Sequence, residues 1–224
     1  MPRIARIVIP GIPHHITQRG NNGQDVFFAD EDRAAYVGTL QTQSARFGFA
    51  VEGFCLMTNH IHIVGTPQKE DSLALAIGRT DFIYTQYIND LHDRSGHLWQ
   101  NRFYSCPMDD HHFFAALRYI ETNPLRAGLS RSPWRYHWSS AGAHCGVSKV
   151  PDILDLARWR KGFSEEEWKE FVIEGTDEEE KLLRRFTRTG RPLGSDAFVA
   201  RIEAALGCRL RALPVGRPRK KTKK

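Results

Sequence analysis

The stretch Thr58–Gly65 reads TNHIHIVG and sets two imidazoles into a segment that otherwise looks like a buried strand. Thr58-Asn59 predicts a tight turn. Phe49–Met57 predicts the strand entering it, and His60–Thr66 the strand leaving it, ended by Pro67. Residues two apart on a strand share a face, so His60 and His62 project together while Ile61 and Ile63 face the other way.

The elements around this hairpin fix its context. His14–Arg19 predicts a short strand after a Pro/Gly-rich entry. Asp30–Phe47 predicts a helix capped by Asp30, with Ala34, Ala35, Val37, Gly38, Leu40 and Phe47 as its apolar stripe. Ser72–Leu91 predicts a second helix with Leu73, Leu75, Ala76, Ile77, Phe82 and Ile83 apolar, and His97–Cys106 a fourth strand. The order β-α-β-β-α-β implies an α+β, ferredoxin-like fold: a four-stranded antiparallel sheet with two helices on one face. The isoleucines would pack under those helices and the histidines would lie on the open face. A third helix, Asp110–Thr122, should stop at Asn123-Pro124, because the residue before a proline is pushed out of the helical region.

Charge divides the 224-residue chain into three parts. Residues 1–150 carry fourteen Lys/Arg against thirteen Asp/Glu, residues 151–180 four against eleven, and residues 181–224 fourteen against two. A near-neutral body is thus followed by an acidic segment and a tail of net charge +12 within a total of +6. Such a tail suits a polyanion, most simply nucleic acid, or serves as a solubilising end. The acidic segment predicts two short helices, with Ser164 capping the second. In the tail Ser195 should cap a helix to about Leu206, ended by Gly207, with Gly-Arg-Pro at 190–192 before it and again at 216–218 after it. The expected division is 1–150, a catalytic body; 151–186, an acidic helical segment; and 187–224, a basic C-terminal DNA-binding extension. No apolar run reaches the roughly 18 residues of a membrane span. Cys55, Cys106, Cys145 and Cys208 form no C-x-x-C pair, so a reducing, cytoplasmic location is the default.

Two neutral imidazoles side by side are half of a metal site, but a strand His-x-His alone does not choose between zinc, a redox metal and a nuclease-type Mg²⁺ or Mn²⁺. The third helix offers the remainder. Phe113, Phe114, Leu117 and Ile120 supply its packed face, Tyr119 lies on another, and Asn123 follows four residues later on the same side. Asn123 can supply a third ligand, leaving room for a phosphate oxygen and water. Helical spacing alone favours reading Tyr119 as a half-buried aromatic, Tyr84, Tyr87 and Tyr104 are further phenols, and Asn before Pro is also a good helix terminator.

The combination of NHIH (59–62), LWQNRFYS (98–105), RYIETNPLRAG (118–128) and WSS (138–140) resembles the single-tyrosine HUH transposases, and within them the REP-associated tyrosine transposases. The match covers about Pro2–Ala141, and TRTGRPLG (187–194) resembles the longer members. The resemblance implies a DNA endonuclease and strand transferase in which His60, His62 and Asn123 hold a divalent cation, Mg²⁺ or Mn²⁺. Tyr119, chosen by the resemblance over Tyr84 and Tyr87, would be the nucleophile. It would form a 5′-phosphotyrosine that retains the phosphodiester energy, so that no nucleotide cofactor is needed. The implied partner is single-stranded DNA folded into hairpins, met in the cytoplasm at the nucleoid, with no membrane, and with a monomer favoured over a dimer. Trp99, Arg102, Phe103, Arg126, Trp134, Arg135 and Trp138 mix planar and cationic groups suited to stacking and phosphate contact, while for the tryptophans burial as loop anchors is at least as good a reading. The extended segment Gly216–Lys221 resembles a minor-groove hook that would carry Arg217 and Arg219 into an A/T groove, and Arg191 of the first Gly-Arg-Pro is a further DNA-binding candidate. The alternatives are a non-catalytic hairpin-binding regulator on the same fold and a replication-initiator-like HUH nuclease, for which the chain is short.

Overall fold

In the computed structural model residues 6–175 and 177–211 are described. Four strands form one antiparallel sheet: β1 (His14–Arg19), β2 (Phe49–Met57), β3 (His60–Pro67) and β4 (Tyr104–Pro107), in the spatial order β2-β3-β1-β4. That is the ferredoxin-like order, with β1 and β3 central. The β2–β3 hairpin turns on Thr58-Asn59 as the sequence predicts, with Met57 opposite His60 and Cys55 opposite His62. The turn is held from outside, because Val26 N–H and Phe27 N–H both donate to the Thr58 carbonyl.

The two crossover helices, α1 (Asp30–Phe47) and α2 (Ser72–Leu91), cover one face. Ile16, Phe54, Leu56, Ile61 and Ile63 of the sheet pack there against Tyr36, Leu40, Leu73, Ile77, Tyr84 and Ile88. Both helix ranges agree with the sequence reading, but their faces are rotated from it. The capping carboxylate of α1 is Asp32, which accepts from Phe28 N–H and Ala29 N–H, rather than Asp30. Ala34 and Gly38 are exposed and the stripe centres on Tyr36 and Leu40. On α2, Phe82 and Ile83 face outward, while the polar Thr80 and Asp81 are buried. Asp81 is accommodated by the Tyr36 hydroxyl, which donates to it at 3.1 Å.

The fourth strand is shorter than expected. Residues 98–103 form a loop whose Leu98, Trp99 and Phe103 are inserted into the α1/α2 core, so the ladder begins only at Tyr104. The third helix is longer than expected: α3 runs from Asp110 to Arg126 with Pro124 inside it. Proline lacks an N–H, but in the last turn this removes only one helical bond. There the Tyr119 carbonyl accepts from Asn123 Nδ2 at 3.2 Å and Arg126 Nη2 at 2.7 Å, so side chains tie the final turn together.

The face expected to be open is roofed by α3 and by helices of the C-terminal half. These are α4 (Ala141–His144), α5 (Glu165–Phe171) and α6 (Asp177–Thr189), while a last helix, α7 (Asp196–Leu206), packs elsewhere. A second core lies here, with Cys55, Val64 and Cys106 of the sheet against Phe113, Leu117 and Ile120 of α3, Trp168 of α5 and Leu183 of α6. Gly53 lets α3 approach, since a Cβ there would stand 2.3 Å from Leu117 Cδ2. Behind α3, the fully buried Glu121 accepts from Ser140 Oγ, the His144 ring and Trp168 Nε1. Ser164 caps α5 through a capping box. α6 then crosses position 186, so the acidic segment and the basic extension meet within one helix. Ser195 caps α7 and Gly207, at φ +62°, ends it, as the sequence predicts. α7 packs its Phe198, Val199 and Ile202 against Ile7, Ile9 and Ile12, so it is a partner of the body. Among the described residues no helix is long and apolar enough to cross a membrane.

Candidate functional site

The face opposite the isoleucines carries a cleft of about 610 Å³. The register explains its floor. Thr17 of β1 stands opposite His62 and Arg19 opposite His60, so alternate residues of both central strands point into the same space. α3 sets Tyr119 and Asn123 against this floor, and α6 closes one side with Arg184, Thr187 and Arg188. The Tyr119 ring lies edge-on to His62 with centroids 5.3 Å apart, and His60 lies 5.1 Å from His62. His60, His62, Tyr119 and Asn123, singled out in the sequence, therefore converge on one cleft.

The other phenols are placed elsewhere. Tyr84 donates to the Val26 carbonyl and Tyr87 to Asp32 on the α1/α2 side, and Tyr136 donates to the Leu56 carbonyl. Only Tyr104, 42% exposed at the mouth, shares the cleft with Tyr119 among the described tyrosines.

The imidazoles are arranged to keep one nitrogen each for a ligand. Asn59 Nδ2 donates to the Gly23 carbonyl, which turns its Oδ1 toward His60 Nδ1 at 2.7 Å. His62 Nδ1 lies 3.0 Å from His15 Nε2. The Nε2 atoms of both rings remain. Burial first, then the Arg19 and Arg184 guanidiniums, holds the His60 imidazole down at about 4, and burial holds His15 at about 3. His62 is likewise depressed well below its usual value, by burial and then by its neighbours. All three rings are neutral near pH 7, the state that binds metal. Asn123 spends Nδ2 on the Tyr119 carbonyl, so Oδ1 is its free atom. Among the described residues no three His, Cys, Asp or Glu converge as a ligand group. Two imidazole nitrogens and one amide oxygen are thus the donors that could hold a divalent cation here.

Cationic side chains surround the nucleophile candidate. Arg184 Nε donates to the Tyr119 hydroxyl at 3.1 Å, a bond that raises the Arg184 pKa. Arg126 sits 4.8 Å from the Tyr119 ring centroid, and Glu180 pairs with both arginines. Arg126, expected to touch DNA, is largely engaged within the protein.

Other expected contacts fall outside the cleft. Trp99 donates its indole N–H to the Asp81 carbonyl and Phe103 packs beneath Arg6, both buried on the α1/α2 side, so neither offers a ring to a base. The planar residues of this stretch are core. Trp138 is likewise tied by its indole N–H to Asp30, and Trp134 packs against the α3 core. Arg102 is exposed but does not line the cleft. Arg191 is half-buried beside the β4 end of the sheet, with Nη1 unpartnered. Arg217 and Arg219 lie outside the described residues. Sequence reasoning missed His15 and Thr17, whose alternation in HHIT carried the signal, and it missed Arg184 and Thr187. Nothing local in α6 announces that the helix returns to the sheet.

Residues 10–123 match the family described as transposase, IS200-like. This chain belongs to the IS200-like transposase family. That family's match ends at Asn123 and so takes in β1 to the tyrosine helix, with His60, His62 and Tyr119. No curated protein matches the chain. Among solved structures, a REP-associated tyrosine transposase bound to a REP hairpin has the same fold. It is 16% identical, with 70% of this chain and 96% of that one covered at a TM-score of 0.54. A second, described as a transposase from Deinococcus radiodurans R1, is 17% identical over 54% of this chain and 97% of its own, with a TM-score of 0.38. The family membership makes DNA processing of the transposase class the activity of the chain.

Proposed function

We propose that this transposase is a metal-dependent single-strand DNA endonuclease and strand transferase of the single-tyrosine HUH class, acting on hairpin DNA. The observation that carries this reading is the convergence of His60, His62, Asn123 and the Tyr119 ring in one cleft. The hairpin is inferred from the solved relative of the same fold, which holds a REP hairpin. All four residues come from β3 and α3 of one chain, so a monomer suffices.

His60, His62 and Asn123 would hold Mg²⁺ or Mn²⁺, which supplies charge neutralisation and polarisation of the scissile phosphate. Tyr119 Oη attacks the phosphorus in line. Its proton leaves to water, the bond from phosphorus to the 3′ oxygen breaks, and that oxygen takes a proton from water. The products are a 5′-phosphotyrosine and a free 3′-hydroxyl, and a second 3′-hydroxyl reverses the step to transfer the strand. Arg184 orients the phenol oxygen and stabilises charge on it. Arg19, Arg188 and the exposed Tyr104 line the mouth, where phosphates and an unstacked base would enter.

Incubation with labelled hairpin DNA and Mn²⁺ should give a covalent adduct on a denaturing gel, abolished by chelator. His60→Ala and His62→Ala should each lose the adduct and keep hairpin binding. Wild type giving no adduct across varied hairpins would favour the binding-only regulator.

A further inference from the structure

α6 lies wholly beyond the residues that match the family, yet it reaches the histidine pair through one intermediary. Thr187 Oγ1 is 2.7 Å from His15 Nδ1, and His15 Nε2 is 3.0 Å from His62 Nδ1. The two rings lie side by side in nearly one plane, with centroids 5.2 Å apart and only 10° between their planes, and Thr187, His15 and His62 are all buried. Thr187 Oγ1 also lies 3.4 Å from Cys106 Sγ, which can accept the hydroxyl's own hydrogen.

A chain of this kind has two hydrogen-bond polarities. In one, His62 Nδ1–H donates to His15 Nε2, and His15 Nδ1–H donates to Thr187 Oγ1. His62 Nε2 then carries a lone pair. In the other, every hydrogen reverses, His62 Nε2 carries the proton, and that nitrogen is closed to a cation. His60 faces no such choice, since the Asn59 amide is turned by the Gly23 carbonyl and presents only its oxygen. His62 depends on what stands at the far end of its chain.

We propose that Thr187 and His15 are positioning residues that hold His62 in its Nδ1–H tautomer, so that α6 completes the cation site begun by the family domain. This rests on the reading of His62 as a ligand. Partners of metal-binding histidines fix tautomer and ring orientation, and their loss changes metal affinity by about 10–100-fold. Without the Thr187 hydroxyl, His15 Nδ1–H has no acceptor in a dry site. The proton then moves to His15 Nε2 and forces His62 to Nε2–H.

The test uses the full chain, labelled with ¹⁵N and free of metal. Long-range ¹⁵N–¹H spectra report the His62 tautomer, and Mn²⁺ titration followed by electron paramagnetic resonance reports affinity. Wild type should show His62 as Nδ1–H. Thr187→Val should shift it to Nε2–H and weaken Mn²⁺ about 10–100-fold, and Thr187→Ser should restore both. If the valine variant does not fold, Thr187→Ala takes its place. A folded Thr187→Val or Thr187→Ala chain with His62 still Nδ1–H overturns the proposal. A tautomer that moves as predicted in a protein whose wild type binds no Mn²⁺ overturns the cation reading alone.

Discussion

Gly53→Ala tests whether the close approach of α3 to the sheet sets the geometry of the cleft. A Cβ at position 53 would stand 2.3 Å from Leu117 Cδ2, 3.2 Å from Ser140 Oγ and 3.4 Å from Ile120 Cδ1. Carbon atoms in contact sit about 3.5–4.0 Å apart, so Leu117 must retreat by at least about 1.2 Å. Its retreat is resisted, because Leu117 and Ile120 are fully buried on α3 and Ser140 is tied to Glu121. Overpacking of this kind costs about 1–3 kcal/mol. For a chain of this size that lowers Tm by roughly 2–12 °C. Tyr119 is only two residues beyond Leu117, so lifting α3 also moves the phenol away from the histidines. A misplacement of about 1 Å in a reacting group costs on the order of 100-fold in rate. The assay is the initial rate of covalent adduct formation with hairpin DNA and Mn²⁺, paired with a thermal melt. Gly53→Ala should slow the adduct by that order while binding the hairpin as wild type does. Leu117→Ala in the same chain removes the clashing methyl. The double variant should regain adduct rate even though it is less stable, because position rather than stability limits the chemistry. A Gly53→Ala protein with wild-type Tm and rate would refute the argument that α3 is held this close.

Three further outcomes follow from the same geometry. Glu121→Ala strands the His144 and Trp168 donors in the second core and leaves Ser140 Oγ only its longer bond to the Phe54 carbonyl, and should lose about 3–5 kcal/mol of unfolding free energy in urea titration; a loss below about 1 kcal/mol would contradict it. Burial raises the Asp81 carboxyl from 3.8 to about 8, so between those values the folded chain keeps a proton that the unfolded chain has released. Stability should therefore fall as pH rises through that window, and Asp81→Asn should flatten the fall in urea melts. Tyr104→Ala removes the exposed ring at the cleft mouth and should weaken binding of a hairpin with a single-stranded overhang by about 5–150-fold, the equivalent of 1–3 kcal/mol per stacked base; binding of a blunt hairpin should not change.

The hairpin around TNHIHIVG was legible because alternation is a local property. Ile61 and Ile63 needed a core, and the histidines took the other face. Helix α3 was legible in kind, but its end was not. Asn123-Pro124 reads as a stop, and only the tertiary placement of Arg126 and Asn123 under the Tyr119 carbonyl shows why one more turn survives. Trp99 and Phe103 illustrate the opposite failure. A planar side chain near basic residues has the same composition whether it faces a base or a core, and burial decides between them. α6 was least legible of all. The expected division at 186 falls inside it, and Arg184 and Thr187, one on each side of that position, both reach the site. Contacts between residues 65 and 172 positions apart leave no local trace in the chain.

The central claim, that Tyr119 is the nucleophile, is tested most directly by mass spectrometry of the covalent adduct. After nuclease trimming and trypsin, cleavage at Arg118 and Arg126 isolates the peptide YIETNPLR, with Tyr119 as its only phenol. This peptide should carry the mass of a 5′-phosphonucleotide, and Tyr119→Phe should give no adduct. A nucleotide found on the peptide containing Tyr104, or an adduct that survives Tyr119→Phe, would contradict the account.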